Sequence, residues 1–305
     1  MSSSAGAAAS VRHTHLDFTA VSVLVVCCTL WGLNQVAAKV ALQEVGPLTQ
    51  AAIRSTGAVL LVLLWSHLRG VSLWQRDGSL RGGVLAGGLF AAEFACIFIG
   101  LQYTDASRMI VFLYTSPFVV ALGMPFIAGG ERLGRTQWVG LWLAFAGVAL
   151  AFSEGFTSAA SHPQQWWGDV LAVLAALLWG LTTLAIRGSR LAQVSAEKTL
   201  AYQLGLSAIV FAMALPWVGE TWPQRVSPLT WATLGFQTVV VAFASFLAWF
   251  WLMKHYAAPR LASFTLITPV AGLVFGVWLL GEPATWRLVV ALVGVLAGLV
   301  LINRR

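Results

Sequence analysis

Apolar residues fall into ten runs separated by polar turns: 17–39, 48–68, 82–102, 106–128, 134–153, 168–187, 196–217, 229–252, 260–280 and 285–303. Each is close to the roughly 20 residues a helix needs to cross a hydrocarbon core of about 30 Å. Helices satisfy their own backbone in lipid, so the pattern predicts an all-α membrane protein with ten transmembrane helices. Residues 1–16 precede the first run and are expected to be a disordered cytoplasmic lead. Met1 to Ala9 lack the basic stretch that opens a cleaved signal peptide. The one long polar interval, 154–167, carries Gly155 and Pro163 and is expected to connect two halves, 17–153 and 168–303.

Those halves resemble one another. Leu30-Trp31-Gly32-Leu33-Asn34-Gln35-Val36-Ala37-Ala38-Lys39 returns 148 positions later as Leu178-Trp179-Gly180-Leu181-Thr182-Thr183-Leu184-Ala185-Ile186-Arg187. The same offset pairs Gly57 with Gly205. An offset of 152 pairs Phe94 with Phe246, Phe98 with Phe250, Arg108 with Arg260, Phe112 with Phe264 and Pro117 with Pro269. Five helices per half is an odd number, so the second copy enters the membrane from the opposite side. The fold class expected is two inverted five-helix repeats around a central cavity.

Charge fixes the orientation. With a cytoplasmic N-terminus, thirteen of the 18 Lys and Arg fall inside and four outside (Lys39, Arg108, Arg225 and Arg287), with Arg54 inside a helix. That bias predicts both termini cytoplasmic. Composition agrees: 59% of residues are hydrophobic and 10% charged, with mean hydropathy +0.82. The net charge of +7 sits in short turns without interleaved aromatics, which argues against a nucleic-acid partner. Cys27, Cys28 and Cys96 lie inside apolar runs without ligand spacing and read as buried thiols. His13, His15, His67, His162 and His255 are scattered, which argues against a metal. No phosphate-binding loop or nucleophile motif supports an enzyme, and no cofactor is expected.

The doubled Leu-Trp-Gly, the prolines of Thr115-Ser116-Pro117 and Thr268-Pro269, and the Gly130-Glu131 and Gly281-Glu282 pairs resemble the drug/metabolite transporter superfamily, specifically its ten-helix EamA-type members. The resemblance covers nearly the whole chain after about residue 17. It implies a cavity between helices 1, 3, 4, 6, 8 and 9, and transport of amino acids, including aromatic ones, or other metabolites. Small multidrug relatives rely on a glutamate in helix 1. Here that helix has no acid beyond Asp17 at its start, which weakens a drug–proton antiport reading.

Inverted repeats place a substrate path near the bilayer midplane where the copies meet. The cavity candidates are therefore Trp31, Asn34, Phe90, Glu93, Phe94, Phe98, Phe112, Trp179, Thr182, Phe246, Phe250 and Phe264. An aromatic stripe on a membrane helix also serves plain packing. Glu93 lies about 18 Å into its helix at helical rise, and an intramembrane carboxylate is costly enough to be a functional candidate. It could hold a substrate amine, exchange a proton, or pair with Arg54. Lys39, Arg108, Arg187 and Arg260 read as snorkelling anchors or as charged mouths for a carboxylate. Pro117 and Pro269 are paired kinks, either hinges or static bends. Gly83-x-x-x-Gly87 and Gly294-x-x-x-Gly298 allow close helix approach within a monomer.

The expected activity is that of a cytoplasmic-membrane secondary transporter exporting neutral or aromatic amino acids and related metabolites without ATP. Efflux of drugs, nucleosides or other amphipathic molecules is the first alternative, and a membrane enzyme or scaffold the second.

Overall fold

Prolines, glycines and capping side chains decide how the apolar runs become helices. In the computed structural model, described here for residues 17–127, 134–156, 162–220, 225–256, 261 and 264–303, no strand occurs among the described residues. The helices are α1 (Phe18–Ala41), α2 (Pro47–Leu68), α3 (Leu80–Gly100), α4 (Ala106–Leu113), α5 (Ser116–Gly123), α6 (Arg135–Glu154), α7 (Gln165–Arg187), α8 (Ala196–Val218), α9 (Pro228–Gly235), α10 (Phe246–His255), α11 (Ile267–Leu280) and α12 (Trp286–Asn303). A π-helical stretch, Phe236–Ser245, joins α9 to α10.

Among the described residues eight segments are long and apolar enough to cross a membrane: α1, α2, α3, Ala106–Phe126, α6, α7, α8 and Pro228–Leu252. Ile267–Leu280 and Trp286–Ile302 are apolar but shorter. The run at 106–128 breaks at Tyr114 and Thr115, where Thr115 N–H donates to Phe112 O in a tighter turn. The cause is Pro117, which has no N–H for the carbonyl four residues back and whose ring crowds it. The run at 260–280 turns likewise at Thr265 and Leu266, just before Pro269, with Thr268 N–H on Thr265 O.

Each helix buries one face against a few neighbours. α6 packs on α12, α3 on α7 and α8, α2 on α8 and the π-helical stretch, α1 on α11 and the segment containing α9 and α10, and α4 on α7 and α11. Small residues make the tightest seams. A Cβ on Gly140 of α6 would lie 2.8 Å from the Gly298 carbonyl oxygen of α12, and one on Gly294 would lie 3.0 Å from the Leu143 oxygen. Gly83 and Gly87 face Tyr202 of α8. Both Gly-x-x-x-Gly pairs thus seat helices of the same chain. Outward faces carry Trp138, Trp142, Phe145, Val289 and Val293, all exposed, as lipid-facing positions require.

Two helix ends use one device. Gly281 (φ 67°) and Gly219 (φ 70°) adopt the left-handed conformation that glycine enters without steric cost, reversing the chain after α11 and α8. The next residue is a glutamate in each case. Glu282 accepts from Ala106 N–H (2.7 Å) and Ser107 N–H (2.9 Å) at the start of α4. Glu220 accepts from Leu48 N–H (3.0 Å), Thr49 N–H (2.8 Å) and the Thr49 hydroxyl (2.7 Å) at the start of α2. Carboxylates there fill unpaired donors and complement the helix dipole. The Gly130-Glu131 pair lies outside the described residues.

Candidate functional site

Arg54 lies in the second turn of α2, seven residues after Pro47, and its side chain is turned into the bundle with 1% exposure. Its guanidinium carbon sits 4.0 Å from the centroid of the Phe94 ring of α3 and 6.0 Å from that of Phe246 at the start of α10. The two rings that bracket it are the repeat-paired phenylalanines. Phe94 continues a row with Phe90 (4.6 Å) and Phe98 (6.1 Å). On the other side Trp31 of α1 donates its indole N–H to Ser245 Oγ (2.8 Å) and meets Phe246 (6.2 Å) and Trp249 (5.3 Å) edge-on.

Polar atoms at this centre are left without partners. None of the three Arg54 guanidinium nitrogens has a hydrogen-bond partner, nor does Oε2 of Glu93, which is 4% exposed. No Arg54 nitrogen comes within 4.0 Å of a Glu93 oxygen, so the ion pair considered from sequence does not form in this structure. Asn34 Oδ1, Gln35 Oε1 and Ser55 Oγ are also buried and unpartnered. One turn away from Arg54, Gln50 accepts from Gln237 Nε2 (2.8 Å) and donates to Ala38 O (3.3 Å). Burying a charge without hydrogen-bond partners is costly, so the cluster is a candidate functional site. The π-helical stretch supplies both Gln237 and Ser245. Its wider turn changes the register of that segment, and such turns concentrate at functional sites.

At the ends of α1, α4, α6 and α7 the charged groups form a network, although Asp105 Oδ2 and Ser107 Oγ there have no hydrogen-bond partner. Arg108, 2% exposed in the first turn of α4, donates to Glu154 (2.9 Å), to both oxygens of Asp169 (3.2 and 2.5 Å) and to Ala151 O (2.9 Å). Thr104 and Thr285 hydroxyls hold Asp169 and Glu154, each at 2.8 Å. Lys39 donates to Thr104 O and stands 3.6 Å from Asp105, whose same oxygen lies 3.2 Å from His162. At the same end Glu44 accepts from Ser227 N–H (2.7 Å), and that backbone bond holds its carboxyl below the usual carboxylate range. With the Glu220 and Glu282 caps, this end is fastened across the two halves at several points. At the other end Lys198 Nζ reaches Asp77 at 2.7 Å and keeps that carboxyl well below its ordinary range.

The EamA-like transporter family matches the chain in two segments, residues 18–153 and 166–304. The chain belongs to that family. A relative described as an uncharacterized transporter of Archaeoglobus fulgidus is 26% identical over 262 residues, 85% of this chain and 89% of its own. The uncharacterized transporter YvbV of Bacillus subtilis is 27% identical over 288 residues, 90% and 88% of the two chains. YedA of Escherichia coli, described as an inner membrane transporter, is 22% identical over 83% of this chain and 80% of its own. A solved crystal structure shares the fold, with TM-score 0.66, 20% identity, and coverage of 93% and 95%. The chain is therefore a multi-pass membrane protein of a transporter family.

Within this EamA-like chain the sequence candidates divide into groups. Trp31, Phe90, Glu93, Phe94, Phe98 and Phe246 lie at or beside the Arg54 cluster. Phe250 is half-buried against the main core, and Trp179 meets Tyr114 edge-on at 5.8 Å. Thr182 is buried but spends its hydroxyl on Leu178 O of its own helix (2.8 Å). Phe112 lies elsewhere, with Arg108 5.5 Å from its ring centroid, and Phe264 packs in a separate cluster with Leu24 and Tyr256. Arg108, expected as an anchor or mouth charge, is enclosed by two acids because it sits at a junction of three helices. Lys39 is paired, Arg187 is exposed at the end of α7, and Arg260 lies outside the described residues. Pro117 and Pro269 each follow a helix break.

Sequence reasoning underrated Arg54, weighing it only as a partner for Glu93, and missed Gln50 and Gln237. A charged residue well inside an apolar run was the available signal for Arg54. Nothing in Phe236 to Ser245 distinguishes a π-helix from an α-helix by composition.

Proposed function

We propose that this chain is a secondary transporter of ten membrane helices in two inverted repeats, 17–153 and 168–303, with both termini cytoplasmic. It exports neutral or aromatic amino acids and related metabolites by alternating access, as a monomer in the bacterial cytoplasmic membrane. The observation that carries this reading is the aromatic-walled, buried polar cluster between Phe94 and Phe246, with an unpartnered Glu93 oxygen for a substrate amine.

The inverted repeat is supported by packing that comes in related pairs. α1 against α11 corresponds to α7 against the Ala106–Phe126 segment, and α3 against α7 corresponds to the α9–α10 segment against α1. Gly32 and Gly180 make the same contact: a Cβ on either would lie 2.9 and 3.1 Å from the carbonyl oxygens of Thr268 and Ser116, the residues preceding Pro269 and Pro117. Glycines and prolines that meet in this way suit a rocking contact. The fastened end, Lys39 to His162 and Glu44 to Ser227 among its ties, suits a closed outer gate.

Reporter fusions after Arg69 and Arg305 are expected to read cytoplasmic and one after Ser161 exterior; an exterior C-terminus contradicts the inverted repeat. Trp31→Ala and Trp179→Ala should each reduce amino-acid export while the melting temperature stays near wild type. Loss of folded protein in both would assign the two rings to packing.

A further inference from the structure

We propose that Arg54 is the carboxylate subsite of this centre: its guanidinium takes the carboxylate of the transported molecule, while Glu93 takes the ammonium group of the same molecule. The proposal rests on the amino-acid reading above and specifies which side chain recognises which end of the cargo. Arginine keeps its proton in proteins and offers five donors in one plane, so Arg54 is a permanent cation needing acceptors. The Phe94 ring, 4.0 Å away, stabilises the charge through its π-face. That contact uses no N–H, and all three nitrogens lack a hydrogen-bond acceptor at 1% exposure. A planar anion able to accept two parallel N–H bonds is the group that matches this fork, and a carboxylate has that geometry.

Glu93 does not fill the role from within the protein, since no nitrogen–oxygen approach within 4.0 Å joins the two side chains and its Oε2 is itself unpartnered. Both residues occupy one level. Arg54 is seven residues from the start of α2 and Glu93 seven residues from the end of α3. These successive helices run in opposite directions, so each charge lies about 10 Å in from the same end. One guanidinium and one carboxyl group, separated yet level, complement the two ends of a zwitterion. An amphipathic amine would leave the Arg54 nitrogens without acceptors, and an anion without an amine would leave Glu93 Oε2 without a donor.

The test uses L-tryptophan and L-tryptophan amide, which share ring and amine but differ in the carboxylate, with the full-length protein reconstituted in liposomes. Wild type is expected to half-saturate with tryptophan at a concentration about 10- to 100-fold below that for the amide, the size of a charge-assisted pair. In Arg54→Gln that ratio should fall to about one, and Arg54→Lys, which keeps charge but loses the fork, should fall between. A ratio unchanged in Arg54→Gln overturns the assignment. Should that variant fail to reconstitute, wild type decides alone: equal half-saturation by acid and amide overturns the proposal. Transport of tryptophan with no acid–amide discrimination sinks the Arg54 subsite and leaves the amino-acid reading standing. Failure of wild type to move tryptophan, phenylalanine or leucine overturns both.

Discussion

Arg108→Met is expected to destabilise the protein by about 3–5 kcal/mol, because it removes the guanidinium that bridges Glu154 and Asp169 and takes from the fully buried Asp169 its countercharge. Both acids are almost fully buried, at 2% and 0% exposure, and Arg108 supplies hydrogen bonds to each. The loss should spread, because this side chain ties the start of α4 to the end of α6 and the start of α7, and Glu154 also binds Thr285 ahead of α12. The penalty arises from unpaired charge more than from a missing contact. The triple variant Arg108→Met, Glu154→Gln and Asp169→Asn should therefore recover most of the stability. Thermal melting in detergent, read by retention of the monodisperse peak, checks both statements. A single variant that melts like wild type, or a triple variant no better than the single, contradicts the account.

The second large effect is expected where the repeated motif touches the proline segments. A Cβ on Gly32 would lie 2.7 Å from the Gly272 backbone nitrogen and 2.9 Å from Thr268 O, and backbone cannot step aside as a side chain can. On Gly180 the nearest obstacle is the side chain of Val119 at 2.5 Å, followed by Ser116 O at 3.1 Å. Overpacking a tight seam costs about 1–3 kcal/mol or more. Gly32→Val should reach or exceed the top of that range and Gly180→Val should cost less. Both should depress transport more than stability alone explains, since the substitution holds apart helices that slide past one another in the rocking motion we propose. Melting temperature and initial transport rate measured on the same preparations separate the two effects. Wild-type melting of Gly32→Val would contradict the packing described.

Much of the helical framework was legible in the pattern of apolar positions. The run 134–153 matches α6 (Arg135–Glu154), and 196–217 matches α8 (Ala196–Val218). Run length and turn residues set these limits, and both are local properties. The breaks before Pro117 and Pro269 were half legible, since proline announces a kink without stating where the turn falls. The ion triad was not legible. The run boundaries left Glu154 just outside one span and Asp169 at the edge of another, and only packing shows that Arg108 from a third segment lies between them. The Gly281-Glu282 pair was noticed as a motif, but its task, capping α4 from 175 residues away, is tertiary. Gly219-Glu220 performs the same task at α2.

The candidate centre shows the same division. Pairing Phe94 with Phe246 by sequence offset picked out the two rings within 6.0 Å of the Arg54 guanidinium carbon. What sits at that point comes from one half only: offsets of 148 and 152 place Tyr202 opposite Arg54 and Ser245 opposite Glu93. Ser245 is occupied with Trp31, and Tyr202 packs on Gly83 and Gly87. Neither Arg54 nor Glu93 has a charged counterpart at the matching offset, so repeat matching alone does not point to them.

Counterflow of labelled L-tryptophan tests the central claim most directly. Liposomes containing the purified wild-type protein and preloaded with unlabelled tryptophan are predicted to accumulate the label transiently above equilibrium, without ATP, and Glu93→Gln liposomes to do so far more weakly at the same external concentration. Label entering wild-type liposomes no faster than protein-free ones, with phenylalanine and leucine behaving alike, would contradict the account.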